Sequence, residues 1–396
     1  MKILFVAAGS PATVFGLTPL AHAVRTAGHH VFMAATREMM PVVAGTGLTA
    51  LPVASRSMRE YFATDREGRP LELPDHLPGE LRYTGRGFGR LAAASLDALT
   101  ALAESWRPDL VVGGALSFAA PLFAARLGVP YVRHAWDLGE PPEIDRHAAE
   151  ELAPELRRAG LAELPAPDLR IDLCPPSLAP ADAPPARTMR YVPCALQKPL
   201  EPWMYTRGDR LRVCVTTGSR VSLDHEVEHL RELVDRVAQP GTEVVVAAPE
   251  EVAAKLGTAA GRVRAGWIPL DVVLPTCDLL VHHAGGSTAL TGIAAGVPQL
   301  LLPDLHKMVE PSVRHAGSGA ALLVHRDEAT PSRVAEACRE LLHDPSYRRR
   351  AHALAEEYAA LPAPSRLVPV LEELAGRPGG FSAPTSDRPA GFAPAR

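Results

Sequence analysis

Short apolar runs of strand length alternate with longer amphipathic stretches along most of the chain. Ile3–Ala8 is the first run, followed by the turn Gly9-Ser10-Pro11-Ala12-Thr13, a helical stretch from about Phe15 to Ala27 that ends at Gly28, and a second run, His30–Ala35. Runs without alternating polar positions are strands buried on both faces, so the opening predicts a β-turn-α-β unit in a parallel sheet. Leu48–Val53 reads as a third strand. A helix from about Phe88 to Trp106, the strand Asp109–Val112, the helix Ser117–Leu127 and the strand Val129–His134 repeat the theme. Residues 54–87 are charged, punctuated by Pro and Gly and weakly periodic, and read as one long functional or disordered loop.

Eight prolines then fall between residues 174 and 203, a density that disfavours regular helix and marks an interdomain linker. The pattern restarts at Leu211-Arg-Val-Cys-Val-Thr-Thr-Gly218-Ser219-Arg220. A helix near Glu226–Val237, strands Glu243–Ala247 and Val263–Ala265, and a brief helix Leu270–Pro275 follow. Asp278–Pro303 is the most informative stretch. An apolar strand DLLV leads into His282-His283-Ala284-Gly285-Gly286-Ser287-Thr288, then a small-residue helix TALTGIAAG, then a second apolar run from Val297. Helices Arg333–His343, Tyr347–Ala360 and Ser365–Ala375 complete the half. The expected division is an N-terminal Rossmann-like domain over 1–203 with a linker at about 174–209, a second such domain over 210–375, and a Gly/Pro/Ser-rich disordered tail at 376–396.

Composition changes this picture little. The 396 residues suffice for two cores, and 47% hydrophobic with 22% charged residues describes a soluble globular protein. A net charge of −4 gives no reason to expect nucleic acid or an anionic membrane as partner. The first apolar run is too short to span a bilayer and leads straight into a fold-like turn, so a cytoplasmic location is expected, as a monomer or homodimer. The five cysteines are scattered, with no CxxC pair, and suggest neither a zinc site nor a disulfide framework.

The turn after DLLV carries the chemistry. Free backbone N–H groups, hydroxyls and a helix dipole converge where a phosphate would sit, and Gly285 and Gly286 let a ligand approach the backbone. The turn at Gly218-Ser219-Arg220 follows another strand of the same sheet, so both can reach one diphosphate. Ser219 and Thr288 would donate through their hydroxyls, Gly286 and Ser287 through their amides, and His283 could stabilise charge on a leaving diphosphate. Arg220 is either a diphosphate or acceptor neighbour or a solvated turn residue. No Asp-x-Asp triplet occurs, so no metal and no cofactor is expected.

The run HHAGGSTALTGIAAGVPQLLLP resembles the donor-binding signature of GT-B glycosyltransferases that decorate antibiotics. Within them the chain is most similar to the urdamycin-type C-glycosyltransferases of aromatic polyketides, from MKILFVAAGS to about residue 375. The resemblance implies a GT-B fold, two Rossmann-like domains facing each other across a cleft. It also implies a TDP-deoxysugar donor such as TDP-olivose and a polycyclic aromatic polyketide acceptor. Trp267 and Ile268 match the position that meets the nucleobase, although a core Trp is the plainer alternative. Ser10 joins the donor set, and Phe15, His134 and Trp136 the acceptor set.

Two departures from the family matter more than the matches. Related O-glycosyltransferases carry a His three residues before a Pro in the first turn, paired with an Asp; here those positions hold Gly16 and, near the second, Gly114 or Ala115. An Asp-Gln pair that grips sugar hydroxyls is replaced by Lys307-Met308. With no hydroxyl base in place, a phenol-activated ring carbon becomes the expected nucleophile, and Asp137, just beyond a strand end and beside Trp136, the candidate base. The rival readings are an O-transferase with another base, a nucleotide-sugar epimerase and a non-catalytic nucleotide-sugar-binding paralogue.

Overall fold

The computed structural model describes residues 1–218, 225–238, 241–256 and 263–376. Ser219, Arg220 and the tail beyond Gly376 lie outside them. The N-terminal sheet runs β1 (Lys2–Val6), β2 (His30–Thr36), β3 (Thr49–Ala54), β4 (Leu110–Gly114), β5 (Tyr131–His134), β6 (Leu169–Asp172) and β7 (Arg187–Thr188). The C-terminal sheet runs β8 (Leu211–Thr216), β9 (Thr242–Ala247), β10 (Val263–Gly266), β11 (Leu279–His282), β12 (Gln299–Leu301) and β13 (Ala321–Leu323). Spatial orders are 3-2-1-4-5-6-7 and 10-9-8-11-12-13, parallel throughout. The order reverses beside β1 and β4 in one half and beside β8 and β11 in the other. Ligands of open α/β sheets sit at such switch points, beyond the carboxyl ends of the strands. These are the GT-B architecture's two Rossmann-like halves.

The first helix spans Pro11–Thr26 and so begins inside the stretch read as a turn. Pro11 takes its first position, where the missing N–H costs nothing, and the Thr13 hydroxyl donates to the Ser10 carbonyl at 2.7 Å. Half of the supposed loop 54–87 is helical, in the helix Met58–Ala63 and the start of the helix Leu77–Ser105. Ser57 and Glu60 cap the first reciprocally. The second runs through Thr-Gly-Arg-Gly-Phe-Gly because its glycines admit neighbours: a Cβ at Gly85 would lie 2.4 Å from the Ile144 carbonyl, and one at Gly89 2.9 Å from Glu151 Cβ. Both neighbours belong to the unanticipated helix Glu143–Glu151. Close packing overrides glycine's poor helix propensity.

The proline-rich segment is not all linker. Arg187–Thr188 pairs with β6 at the sheet edge, and Pro202–Tyr205 forms a single helical turn with Pro202 leading it. Of the final helices, Pro345–Ala359 packs on Gly286–Ala295 of the C-terminal half, while Val368–Ala375 returns to the first helix. Tyr358, near the end of the former, and Leu371 and Leu374 of the latter share one core with Ile3, Leu17 and Leu20. The Tyr191 amide donates to the Tyr358 hydroxyl at 2.8 Å, and His29 meets Glu372 at 2.8 Å.

Candidate active site

β11 ends at His282, and the helix that follows spans Gly286–Ala295, two residues earlier than its pattern predicts. Its first-turn amides, at Gly286, Ser287 and Thr288, therefore face the cleft without intrahelical partners. The chain turns into this helix through Ala284 at φ 61°, a left-handed conformation that costs a residue with a Cβ about 1–2 kcal/mol. The two histidines before it differ. His282 is fully buried, donates from Nε2 to Gln299 Oε1 at 2.8 Å, and is pushed down to about 3 by burial and then by the neighbouring His283. His283 is partly buried and packs on the turn after β8. A Cβ at Gly218, itself at φ 87°, would come within 2.5 Å of its ring, so this position requires glycine.

Two cavities meet in front of this helix. One, of about 130 Å³, is walled by Trp267, Ile268, Phe15, Tyr191 and Cys194, with Asp271, Ser287 and Thr288 as polar lining. The Trp267 indole N–H reaches the Leu196 carbonyl at 3.3 Å, which fixes the ring's tilt. The other, of about 400 Å³, lies between the domains, with aromatic walls from Phe62, Tyr83, Phe88 and Trp136. Ser10, Asp137, Glu140, His283, Gly285 and Lys307 supply its polar groups. Ala12, Gly218, Ser287 and Thr288 line both cavities, so a molecule in one can touch a molecule in the other.

Trp136 decides the shape of the larger cavity. It is 6% exposed and lies on Gly16, where relatives are expected to keep a His, and on Gly114, one of the two positions, with Ala115, near which its Asp partner is expected. A Cβ at Gly114 would sit 2.3 Å from the indole, and one at Gly16 2.9 Å from Trp136 Cβ. Trp136 thus leaves no room for a larger side chain at either glycine, its Cβ at Gly16 and its indole at Gly114. Asp137 follows it and presses on the helix Gly286–Ala295: a Cβ at Gly286 would lie 1.7 Å from Asp137 Cβ. Its Oδ1 accepts from the Gly139 amide at 2.9 Å. Burial, then the charge of Glu140, raises the Asp137 carboxyl to about 7, with Lys307 opposing.

Glu140 and Glu80 carry roles the sequence reading missed, and no local pattern announces either. Lys307 meets Glu140 at 2.8 Å with both side chains largely buried, so the residue that replaces a sugar clamp forms an ion pair across the cleft. Glu80, 1% exposed on the long helix, accepts from the amides of His306 and Lys307 at 2.9 and 3.0 Å. Glu80→Ala strands those amides, and the expected cost is about 2 kcal/mol of stability, read as a lower melting temperature.

Some expected members fall elsewhere. His134 is fully buried at the end of β5, donates to the Ala135 carbonyl and lines neither cavity; burial holds it near 4. It is not an acceptor contact, because strand packing encloses the whole ring. Phe15 stands in the Trp267 cavity rather than the larger one. Ser10 lines the larger cavity, not the smaller. Among the described residues, no group of three or more His, Cys, Asp or Glu side chains could hold a metal ion, and no helix is long and apolar enough to cross a membrane.

Comparison with known proteins places the chain. Residues 81–218 match the family described as "Erythromycin biosynthesis protein CIII-like, N-terminal domain", and residues 231–374 match its C-terminal counterpart. L-demethylnoviosyl transferase of Streptomyces niveus is 34% identical over 372 residues, 92% of this chain and 96% of that protein. Aclacinomycin-T 2-deoxy-L-fucose transferase of Streptomyces galilaeus is 29% identical over 425 residues, 94% of this chain and 96% of that one. The crystal structure of the Streptomyces sp. SF2575 glycosyltransferase SsfS6 with thymidine diphosphate is 38% identical, with a TM-score of 0.85 over 94% of this chain and 99% of its own. Facing switch points in two parallel sheets, and relatives alike over nearly their full length, lead to one assignment: the chain is a glycosyltransferase of the erythromycin biosynthesis protein CIII-like family, the GT-B enzymes of antibiotic biosynthesis.

Proposed function

We propose that the enzyme transfers a 2,6-dideoxyhexose such as olivose from TDP to a ring carbon of a polycyclic aromatic polyketide, with inversion. This is the chemistry of the urdamycin-type enzymes within the wider family. The thymine would lie against Trp267 with its edge on the Ile268 backbone. The diphosphate would take the amides of Gly286 and Ser287 and the Thr288 hydroxyl, with Ser219 as a further donor. A neighbouring His283 suits the negative charge that grows on the leaving diphosphate.

The observation that carries the reading is Trp136, whose Cβ packs on Gly16 and whose indole packs on Gly114. It leaves an acceptor hydroxyl without the usual base and offers an aromatic acceptor a stacking wall instead. A phenol next to the reacting carbon needs less help, since its pKa near 10 is within reach of a carboxylate held near 7. Asp137 would take the phenol proton, and the ortho carbon of the phenolate would attack the anomeric carbon. The carbon–carbon bond forms as the bond to diphosphate breaks, and the ring then loses its proton to regain aromaticity. Lys307, tied to Glu140 rather than free to hold hydroxyls, fits a sugar with few of them.

Incubating the enzyme with TDP-olivose and a panel of anthraquinone- and angucyclinone-type aglycones tests this. The expected product is a sugar adduct whose mass survives hot acid. An acid-labile adduct would overturn carbon attack in favour of O-transfer.

A further inference from the structure

Asp271 is the first-turn acid of the short helix Leu270–Val273, three residues past Ile268, and its side chain lines the 130 Å³ cavity between Trp267 and Thr291. The amides at Asp271 and Val272 support the carboxylate from its own turn. The other oxygen, Oδ1, is buried and has no hydrogen-bond partner, and no ion pair reaches Asp271 among the described residues. Buried polar atoms are nearly always partnered, so an orphan acceptor on a cavity wall marks a place where a ligand supplies the donor.

Which donor follows from the chemistry of the ligand. An ionised carboxylate only accepts. A diphosphate offers no donor and repels it. Thymidine diphosphate carries two donors of its own, the thymine N3–H and the pentose 3′-hydroxyl. The pyrimidine edge has the Ile268 backbone beside it, which leaves the hydroxyl for Asp271. We infer that Asp271 reads the pentose of the donor nucleotide, its Oδ1 accepting from the 3′-hydroxyl. The assignment rests on the reading of this cavity as a nucleoside diphosphate-sugar site. It makes Asp271 a specificity-determining residue that touches the donor away from the reacting bond.

The test is calorimetric binding of thymidine diphosphate, 3′-deoxythymidine diphosphate and N3-methylthymidine diphosphate to the wild-type enzyme and to Asp271→Ala. Wild type is expected to bind the first about ten-fold more tightly than the 3′-deoxy analogue, the worth of one hydrogen bond to a charged group. In Asp271→Ala that preference disappears while the penalty for N3-methylation stays. Equal wild-type binding of the first two ligands overturns the assignment alone, with no variant required. Loss of N3-methyl discrimination in Asp271→Ala also overturns it, because the carboxylate would then read the base. Wild-type enzyme that binds no thymidine diphosphate overturns the nucleotide reading and the assignment with it.

Discussion

Asp137→Asn is expected to lower kcat by about 100- to 10,000-fold while leaving thymidine diphosphate affinity within about two-fold of wild type. Asn keeps the volume, and its oxygen can still accept from the Gly139 amide, so the loop should hold its shape. What it loses is the capacity to take a proton. The pH profile provides an independent reading. With the carboxyl raised to about 7, the base form is depleted below that pH, so wild-type kcat/KM should fall as pH drops through 7. In Asp137→Asn that limb should vanish. A variant that keeps wild-type kcat would remove Asp137 from the mechanism. One that loses nucleotide affinity as well would mark it as a structural residue of the cleft.

Gly286→Ala is the second large effect. A methyl group there would sit 1.7 Å from Asp137 Cβ and 2.9 Å from its Cα, against the 3.5–4.0 Å that carbon atoms tolerate. Part of the clash is with backbone, so no rotamer relieves it and the donor helix and the 137 loop must move apart. That opens the seam where the two cavities meet. Misplacement of about 1 Å between reacting groups can cost about 100-fold, and kcat/KM should fall by at least that order. Overpacking should also cost about 1–3 kcal/mol of stability. Gly285→Ala is the informative control. Its methyl would meet the His283 ring at 2.4 Å, a side chain rather than backbone, so a milder loss of stability is expected there, although activity should fall as His283 is displaced. Equal losses of stability from both variants would contradict the steric account.

The two parallel sheets and the donor turn were legible because each depends on local pattern: uninterrupted apolar strands, a Gly-rich turn, a small-residue helix. The small residues at Gly16 and at Gly114 or Ala115, where the resemblance implies a His-Asp pair, are read directly from the sequence. What fills that space is not, because Trp136 reaches both glycines from β5's exit and only the tertiary structure brings the three together. The same limit hid Glu80 and Glu140, whose partners His306 and Lys307 lie more than 160 residues away. The helix through Gly85, Gly87 and Gly89 was misread for a different reason. Glycine ordinarily argues against a helix, and the argument fails where a second helix and Phe62 occupy the missing Cβ positions. The burial of His134 is not legible because a strand's pattern does not say whether its last residue faces the core or the cleft.

The return of the last helix onto the N-terminal core bears on recombination between relatives. A chimera joined once, in the proline-rich segment, would pair the N-terminal half of one parent with the closing helix of the other. Leu371, Leu374 and Tyr358 would then pack against a foreign first helix, and the Tyr191–Tyr358 bond would span two lineages. Exchanging N-terminal halves with the fewest foreign contacts therefore takes two junctions, one near residue 205 and one between Ala360 and Pro364, so that Val368–Ala375 travels with the sheet it covers while Pro345–Ala359 stays on the Gly286–Ala295 helix.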